Sequence, residues 1–410
     1  MLLCSPTIIY RNVGNYWHFL NYTSGDLMSF DSDDGKLLLE NLQNWESLEL
    51  SDELRKFFGT NSHVVNSRLC RGALIELGME FSFPTTVNIE LNRRCVLRCQ
   101  HCYISQSALK STNNELFDTF SIGEVERILD TLIKMGVFLI VLTGGEPFLN
   151  KNVEHFIQVA AEKNLIIELF SNLQFLPDWF KRYKATDLSI GRIQTSVYSN
   201  LADVHDAITG NQGSHQRTFN NLLWLKENGY WVEAVTPLMG MNFDSRIQVQ
   251  KFFEKLDIAQ SFSWPINDEY YVAEKTKSRL NITKEQFWQF CQENPDFILK
   301  PDCSDKDAPI CAAGNALFSI SANGDVFPCS QYPQKTGNIM DSPLPDIWLS
   351  DDMRTVANYK KGDIVQIPML YNFCMGNNYS ETGHPFQMPA TLQEVFEFYE
   401  QKGGEKNEAD

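Results

Sequence analysis

Three cysteines, Cys95, Cys99 and Cys102, stand in one short stretch of the 410-residue chain with the spacing Cys-x3-Cys-x2-Cys. Three thiolates on a single loop can hold three corners of an iron–sulfur cubane. No fourth cysteine stands in that stretch, so one iron would keep an open position, and an open iron can bind a substrate. Zinc is the competing occupant. It prefers paired, tetrahedral ligand sets, and only Cys99 and Cys102 have that spacing here. His101, between two of the cysteines, reads as a loop residue facing solvent.

A second group, Cys303, Cys311, Cys329 and Cys374, lies toward the other end of a chain that holds ten cysteines in all. The opening Met1-Leu2-Leu3-Cys4 is followed by no basic segment and no long apolar one, so a secretion signal is not expected. Without one, a disulfide framework is not expected either, and clustered thiols point to metal ligands. Cys4, Cys70 and Cys291 read as small buried hydrophobes. The formal charge of −17 argues against a phosphate-binding surface and hence against nucleic acid. No apolar run reaches the roughly 20 residues that would cross a membrane. A cytoplasmic protein is the expectation.

These cysteines must be positioned by the elements around them. Residues 1–84 read as a small α+β unit, with strands at 8–11, 16–20 and 27–30 and helices at 36–42, 52–58 and 64–77. From residue 85 to about 295, strands and helices alternate. Strands are expected at 86–91, 137–142, 165–170, 192–198, 231–236 and 261–264. Helices are expected at 121–135, 153–163, 177–183, 214–228 and 246–256. Ser121 and Glu124 fit a capping box at the first of these helices. Alternation with continuous apolar strands means parallel βα units, and six of them predict an α/β partial (β/α)6 barrel of the TIM type. Each ligand candidate then falls where a barrel places its ligands, at the carboxyl ends of strands. The cysteine loop follows the first strand, Thr143-Gly144-Gly145-Glu146-Pro147 the second, Ser171-Asn172 the third, and Ser196 lies on the fourth. Two glycines at a strand end let backbone approach a ligand closely. Residues 296–390 carry the second cysteine group and a hairpin turned at Asn323-Gly324. A helix over 392–399 and a disordered tail over 401–410 close the chain.

The Cys-x3-Cys-x2-Cys loop, followed by Tyr103, resembles the signature of the radical S-adenosylmethionine superfamily, and Gly144-Gly145-Glu146-Pro147 resembles that family's second motif. The resemblance implies a four-iron cluster on Cys95, Cys99 and Cys102 whose open iron chelates S-adenosylmethionine. It also implies reductive cleavage to a 5′-deoxyadenosyl radical. Gly144, Gly145 and Glu146 would contact the methionine amino group, Asn172 and Ser196 the ribose and carboxylate, and Tyr103 the adenine edge. The run Cys311-Ala-Ala-Gly314, Asn323-Gly324-Asp325-Val326-Phe327-Pro328-Cys329, Gly337-Asn338-Ile339 and Ile347-Trp348 is similar to the SPASM/twitch extension of peptide-modifying members. That likeness implies one auxiliary four-iron cluster on Cys303, Cys311, Cys329 and Cys374. The outer cluster of the full extension has no ligands here. A structural zinc on the same four thiolates, or a three-ligand cluster with Cys303 free, are the alternatives. Residues 1–84 are similar to the winged-helix-like element that grips the leader of a ribosomal precursor peptide. Together these imply a peptide maturase that cross-links side chains, reduced by a partner such as flavodoxin or ferredoxin. A radical enzyme for a small molecule and an electron-transfer protein are the rival readings. Glu233, Tyr270 and Tyr271 are candidates for lining the barrel mouth.

Overall fold

The structure is a computed structural model that describes residues 8–41, 51–58, 67–104, 115–266, 277–297, 302–365 and 373–407. Strands β1 (Ile8–Val13), β2 (Tyr16–Asn21) and β3 (Leu27–Asp31) pair antiparallel in that order. Helices α1 (Ser32–Asn41), α2 (Asp52–Phe58) and α3 (Ser67–Phe81) follow. This unit does not stand apart from the rest. Ile9 and Leu20 of its sheet and Cys70, Leu74 and Leu77 of α3 form one apolar cluster with Phe138, Leu139, Val141 and Ile166. Arg11 crosses the same boundary, donating from its guanidinium to the Val137 and Asn164 carbonyls at 2.7 and 3.0 Å. A buried guanidinium needs such partners, so these contacts fix where the unit sits.

The expected alternation is present. Strands β4 (Thr86–Asn92), β5 (Leu139–Gly144), β6 (Ile166–Phe170), β7 (Ile190–Ser196), β8 (Val232–Pro237) and β9 (Ala259–Ser263) are all parallel. Helices α4 (Ile122–Lys134), α5 (Val153–Glu162), α6 (Ala202–Thr209), α7 (Ser214–Glu227) and α8 (Arg246–Lys255) run between them. The capping box at α4 is made: the Ser121 hydroxyl accepts from Glu124 N–H, and the Glu124 carboxylate accepts from Ser121 N–H at 2.7 Å. Val125, Leu129 and Leu132 of α4 pack on Val87, Ile89, Ile140 and Leu142 in the main core.

Several helices differ from expectation, among them one absent over 177–183 and three, Ala202–Thr209, Lys284–Glu293 and Met375–Thr382, that form where none is expected. No α-helix forms over 177–183, where only a 3-10 turn (Phe180–Arg182) appears. The segment is anchored by Phe180 alone among its residues of near-zero exposure, which is too little apolar stripe to hold a helix. Helix α6 was not expected. It is short, and only Val204 and Ile208 mark its apolar face.

The C-terminal part joins the barrel sheet. Strands β10 (Leu317–Ile320), β11 (Asp325–Phe327) and β12 (Gly337–Asn338) form the expected hairpin and one strand more. β10 lies parallel to β4, giving one nine-stranded sheet in the order β12-β11-β10-β4-β5-β6-β7-β8-β9. Helices α9 (Lys284–Glu293), α10 (Met375–Thr382) and α11 (Ala390–Asn407) are the longer helices of this part, with short ones over Leu344–Trp348, Asp351–Ala357 and Lys361–Ile364. The expected disordered tail is instead the continuation of α11 as far as Asn407; residues 408–410 lie outside the described ones. Val395 and Phe396 pack against Phe287 and Phe290 of α9. Once a helix is nucleated by such packing, polar residues extend it at little cost.

Candidate active site

After β4 the chain turns into the cysteine loop, and α6 holds that loop in place. Arg98 N–H donates to the Thr209 carbonyl at 2.8 Å, and Gln100 N–H to that of Ile208 at 3.0 Å. The last carbonyls of a helix lack partners within it, so the end of α6 is a ready clamp. The Arg98 guanidinium ties the loop from within, donating to the Cys95 and Leu97 carbonyls at 2.7 Å each. Cys95, Cys99 and Cys102 thereby line one cleft of about 220 Å³, with Thr143, Gly144, Gly145, Asn172, Ser196, Tyr198 and Tyr103 among its other walls.

The thiols are close enough to repel one another as thiolates. Burial first, opposed by the Leu97 N–H, then Glu146 and Cys102, push Cys95 up to about 11. Burial, then Cys102 and Cys95, push Cys99 up to about 12. Such thiols stay protonated unless a cation replaces their protons, which irons would do. Among the described residues, no group of three or more His, Cys, Asp or Glu side chains is arranged to hold a single metal ion. A cubane differs from a lone zinc in asking for one thiolate per corner iron. Three thiols spread around one cleft suit the first demand and not the second.

The glycine pair meets the cysteine loop itself. Gly144 has φ +129°, and a Cβ there would lie 2.1 Å from the Asn92 carbonyl oxygen. A Cβ at Gly145 would lie 2.3 Å from that of Arg94. The spacing predicts close approach to a ligand; the approach the structure shows is between strand end and cysteine loop, sealed by Gly145 N–H donating to the Asn92 carbonyl at 2.8 Å.

Glu146 points away from the cleft and is 1% exposed. Its carboxylate accepts from Asn172 N–H at 2.8 Å, the Ser171 hydroxyl at 2.9 Å and Phe148 N–H at 3.1 Å. Burial still holds its pKa up, at about 7. Its side chain thus secures the end of β6, while the glycines beside it face the cleft. Asn172 and Ser196 line the cleft where the strand-end argument puts them.

A second cavity, about 50 Å³, adjoins the first through the shared walls Tyr103 and Thr143 and reaches Cys329. Glu90 of β4 stands in its wall. Burial raises the Glu90 pKa, opposed by Arg93 at 3.8 Å and by hydrogen bonds from Ala322 N–H and the Tyr103 hydroxyl. Sequence reasoning missed this carboxyl. Its signal was a polar register, Asn88 and Glu90, alternating with Val87, Ile89 and Leu91 along β4.

The second cysteine group is brought together unequally. Burial raises Cys329, and Cys374 and Cys311 raise it further. Cys374 also raises Cys311. No hydrogen bond or electrostatic contact joins Cys303 to these three among the described residues. Below the cleft, inside the barrel, Arg192 joins Glu168 and Glu233 at 2.6 Å each, and Arg71 of α3 reaches Glu168 at 2.5 Å. Glu233, a candidate for the barrel mouth, is committed to this buried ladder. Tyr270 and Tyr271 lie outside the described residues.

Comparison with known proteins adds three findings. Residues 89–256 match the Radical SAM superfamily, and residues 311–374 match an iron–sulfur cluster-binding domain, SPASM. The second match begins at Cys311, and so excludes Cys303. The chain is 27% identical over 287 residues to the antilisterial bacteriocin subtilosin biosynthesis protein AlbA of Bacillus subtilis, across 66% of this chain and 61% of that one. The chain thus spans about three-fifths of that relative's length. It is 24% identical over 289 residues to the AdoMet-dependent heme synthase of Nitratidesulfovibrio vulgaris, across 63% of this chain and 77% of that one. Streptococcus suis SuiB, in its crystal structure bound to S-adenosylmethionine, superposes with TM-score 0.59 at 17% identity, across 85% of this chain and 88% of that one. SuiB has also been solved bound to a precursor peptide, SuiA.

Proposed function

We infer the activity from the family to which the chain belongs, the radical S-adenosylmethionine superfamily, and from the SPASM domain it carries. We propose that Cys95, Cys99 and Cys102 hold the four-iron cluster, and that the enzyme modifies a ribosomally made precursor peptide by cross-linking its side chains. The observation that carries this reading is the pair of adjoining cavities, which share Tyr103 and Thr143 as walls. One is lined by the three thiols and the glycine cradle, and the other runs from Tyr103 and Thr143 to Cys329. When bound, the cluster supplies the electron that cleaves S-adenosylmethionine and yields the radical that takes a hydrogen atom from the substrate.

The chain's own residues do the rest. Gly144 and Gly145 present backbone to the methionine end, Asn172 and Ser196 offer hydrogen bonds to the ribose and carboxylate, and Tyr103 walls off the adenine side. Glu90, half-buried between the two cysteine groups, is suited to accept a hydrogen bond or a proton from the substrate's reacting side chain. Cys311, Cys329 and Cys374 are the proposed auxiliary ligands, with Cys303 as the candidate fourth. Among the described residues, the sheet β1-β2-β3 has β1 and β3 as its edges, and an edge strand suits addition of an extended leader peptide. A low-potential carrier such as flavodoxin or ferredoxin would deliver the electron.

A second reading, a small-molecule substrate, is favoured by the likeness to heme synthase. Anaerobic reduction with S-adenosylmethionine, followed by assay for 5′-deoxyadenosine, tests the family chemistry. Serine at any of Cys95, Cys99 or Cys102 should abolish it. Serine at Cys311 or Cys329 should leave that cleavage and stop product formation. Co-expression with the peptide of a short neighbouring reading frame, then mass spectrometry, tests the substrate. Loss of two hydrogens per cross-link supports a peptide cross-linker. An unchanged peptide mass beside active cleavage sinks that reading.

A further inference from the structure

We infer that Asn172 and Tyr198 set the reduction potential of the cluster by donating hydrogen bonds to two of its ligand sulfurs. The inference rests on the reading that Cys95, Cys99 and Cys102 hold that cluster, and it gives Asn172 a role besides binding S-adenosylmethionine.

The Asn172 side chain lies with Nδ2 3.3 Å from Cys95 Sγ. Its amide cannot turn over without loss, because Oδ1 accepts from Gln174 N–H at 3.0 Å. The backbone on either side is pinned as well. Asn172 N–H donates to Glu146 at 2.8 Å, and the Asn172 carbonyl accepts from the Thr218 hydroxyl at 3.0 Å. The donor is therefore aimed at the sulfur by groups that do not touch the cluster. This also accounts for a glutamate buried beside the cleft: its carboxylate holds the strand end from which Asn172 reaches Cys95.

Tyr198 supplies the second donor. It is 5% exposed, with its ring between His101 and His205 at centroid distances of 5.0 and 5.1 Å. Its hydroxyl lies 3.9 Å from Cys99 Sγ and 3.4 Å from His101 Nε2. A hydroxyl has one proton and two lone pairs. Ser196 donates to the tyrosine oxygen. With His101 taken as the tautomer that carries its proton on Nε2, it also donates there and leaves the tyrosine proton for Cys99.

The electrostatics have a definite sign. An added electron makes the cluster and its sulfurs more negative, so donors at sulfur stabilise the reduced state more than the oxidised one. Hydrogen bonds to the sulfurs are among the groups that set such potentials. Removing a donor lowers the potential and makes the first step of the reaction harder.

The test uses the full chain, reconstituted anaerobically with iron and sulfide and kept free of S-adenosylmethionine, so that cofactor binding by Asn172 does not enter. The paramagnetic signal of the reduced cluster is followed against applied potential. Cys99→Ser identifies the signal: if it survives that change, the ligand assignment itself fails. With the signal assigned, Asn172→Leu and Tyr198→Phe should each shift the reduction equilibrium toward the oxidised form by about threefold to tenfold. A tenfold shift is 59 mV for one electron. The double variant should shift it by about the product of the two. Phenylalanine keeps the ring packing, so Tyr198→Phe decides the matter even where Asn172→Leu loses iron. Full iron content with an equilibrium within twofold of the parent in Tyr198→Phe, and in Asn172→Leu where it retains its iron, overturns the inference. A merely structural role for these side chains would alter iron content or stability and leave the potential where it was.

Discussion

Replacing Gly144 by alanine should damage both stability and the cysteine loop, and the two costs can be separated. The backbone at Gly144 has φ +129°, which strains a residue with a Cβ by about 1–3 kcal/mol. The added Cβ would also stand 2.1 Å from the Asn92 carbonyl oxygen. Relief requires a shift of more than an ångström in one backbone or the other, comparable to an overpacked core at about 1–3 kcal/mol. The total, about 2–6 kcal/mol, is a large share of the roughly 5–15 kcal/mol that holds a domain folded. The Asn92 side chain donates to the Glu146 carbonyl at 3.0 Å, and Cys95 follows three residues later, so movement at Asn92 is carried into the ligand loop. Gly229 is the control. Its φ is +79° and nothing lies within 4 Å of the position of its Cβ, so alanine there meets only the left-handed cost of about 1–2 kcal/mol. Urea denaturation of both variants, with iron content and 5′-deoxyadenosine yield for each, makes the comparison. Gly144→Ala should lose iron and cleavage as well as stability, and Gly229→Ala should lose a little stability only. If Gly144→Ala is no less stable than Gly229→Ala and binds iron like the parent, the account of the glycine pair is wrong.

Two further outcomes concern the scaffold. Arg192→Met leaves Glu168, which is 0% exposed, and Glu233 without their common partner. It should therefore cost about 3–5 kcal/mol in denaturant unfolding. Adding Glu168→Gln should recover part of that loss, and a single variant within about 1 kcal/mol of the parent would contradict the ladder's role. His18, 0% exposed and bonded to the Ser29 hydroxyl at 2.8 Å, is lowered by burial from 6.5 to about 4. The unfolded chain thus binds a proton that the folded chain refuses between those values. The stability of the neutral buried ring is present above pH 6.5 and is lost as pH falls through 4, by about 3 kcal/mol. Comparing the parent with His18→Phe at pH 7 and pH 4 removes the contribution of other histidines. Equal losses in both proteins would show that His18 is not the group responsible.

Much of this protein was legible before any folding. The six parallel strands follow from local periodicity, and helix α4 from a capping box contained in four residues. The three ligand candidates follow from spacing on one loop. Each of these is a property of neighbours in the chain. Two failures were local too: α6 is marked by only two apolar residues, and residues 177–183 carry too few to make a helix. A third was not for want of signal: α9 has a capping box at Thr283 and Gln286 and a buried face of Phe287, Phe290 and Cys291, and that signal went unread.

What tertiary structure alone decided are contacts between residues far apart in sequence. The end of α6 clamps the cysteine loop from more than a hundred residues away. β10 joins β4 across a separation of 231 residues, and that junction places Cys329 next to the cavity that Glu90 lines. Sequence marks Glu146 as part of a motif, but only packing shows its carboxylate turned to the end of β6. From there Asn172 is aimed at Cys95. Spacing along the chain can say which thiols share a cluster. Hydrogen bonds to their sulfurs come from other strands, and only the closed sheet brings those strands within reach.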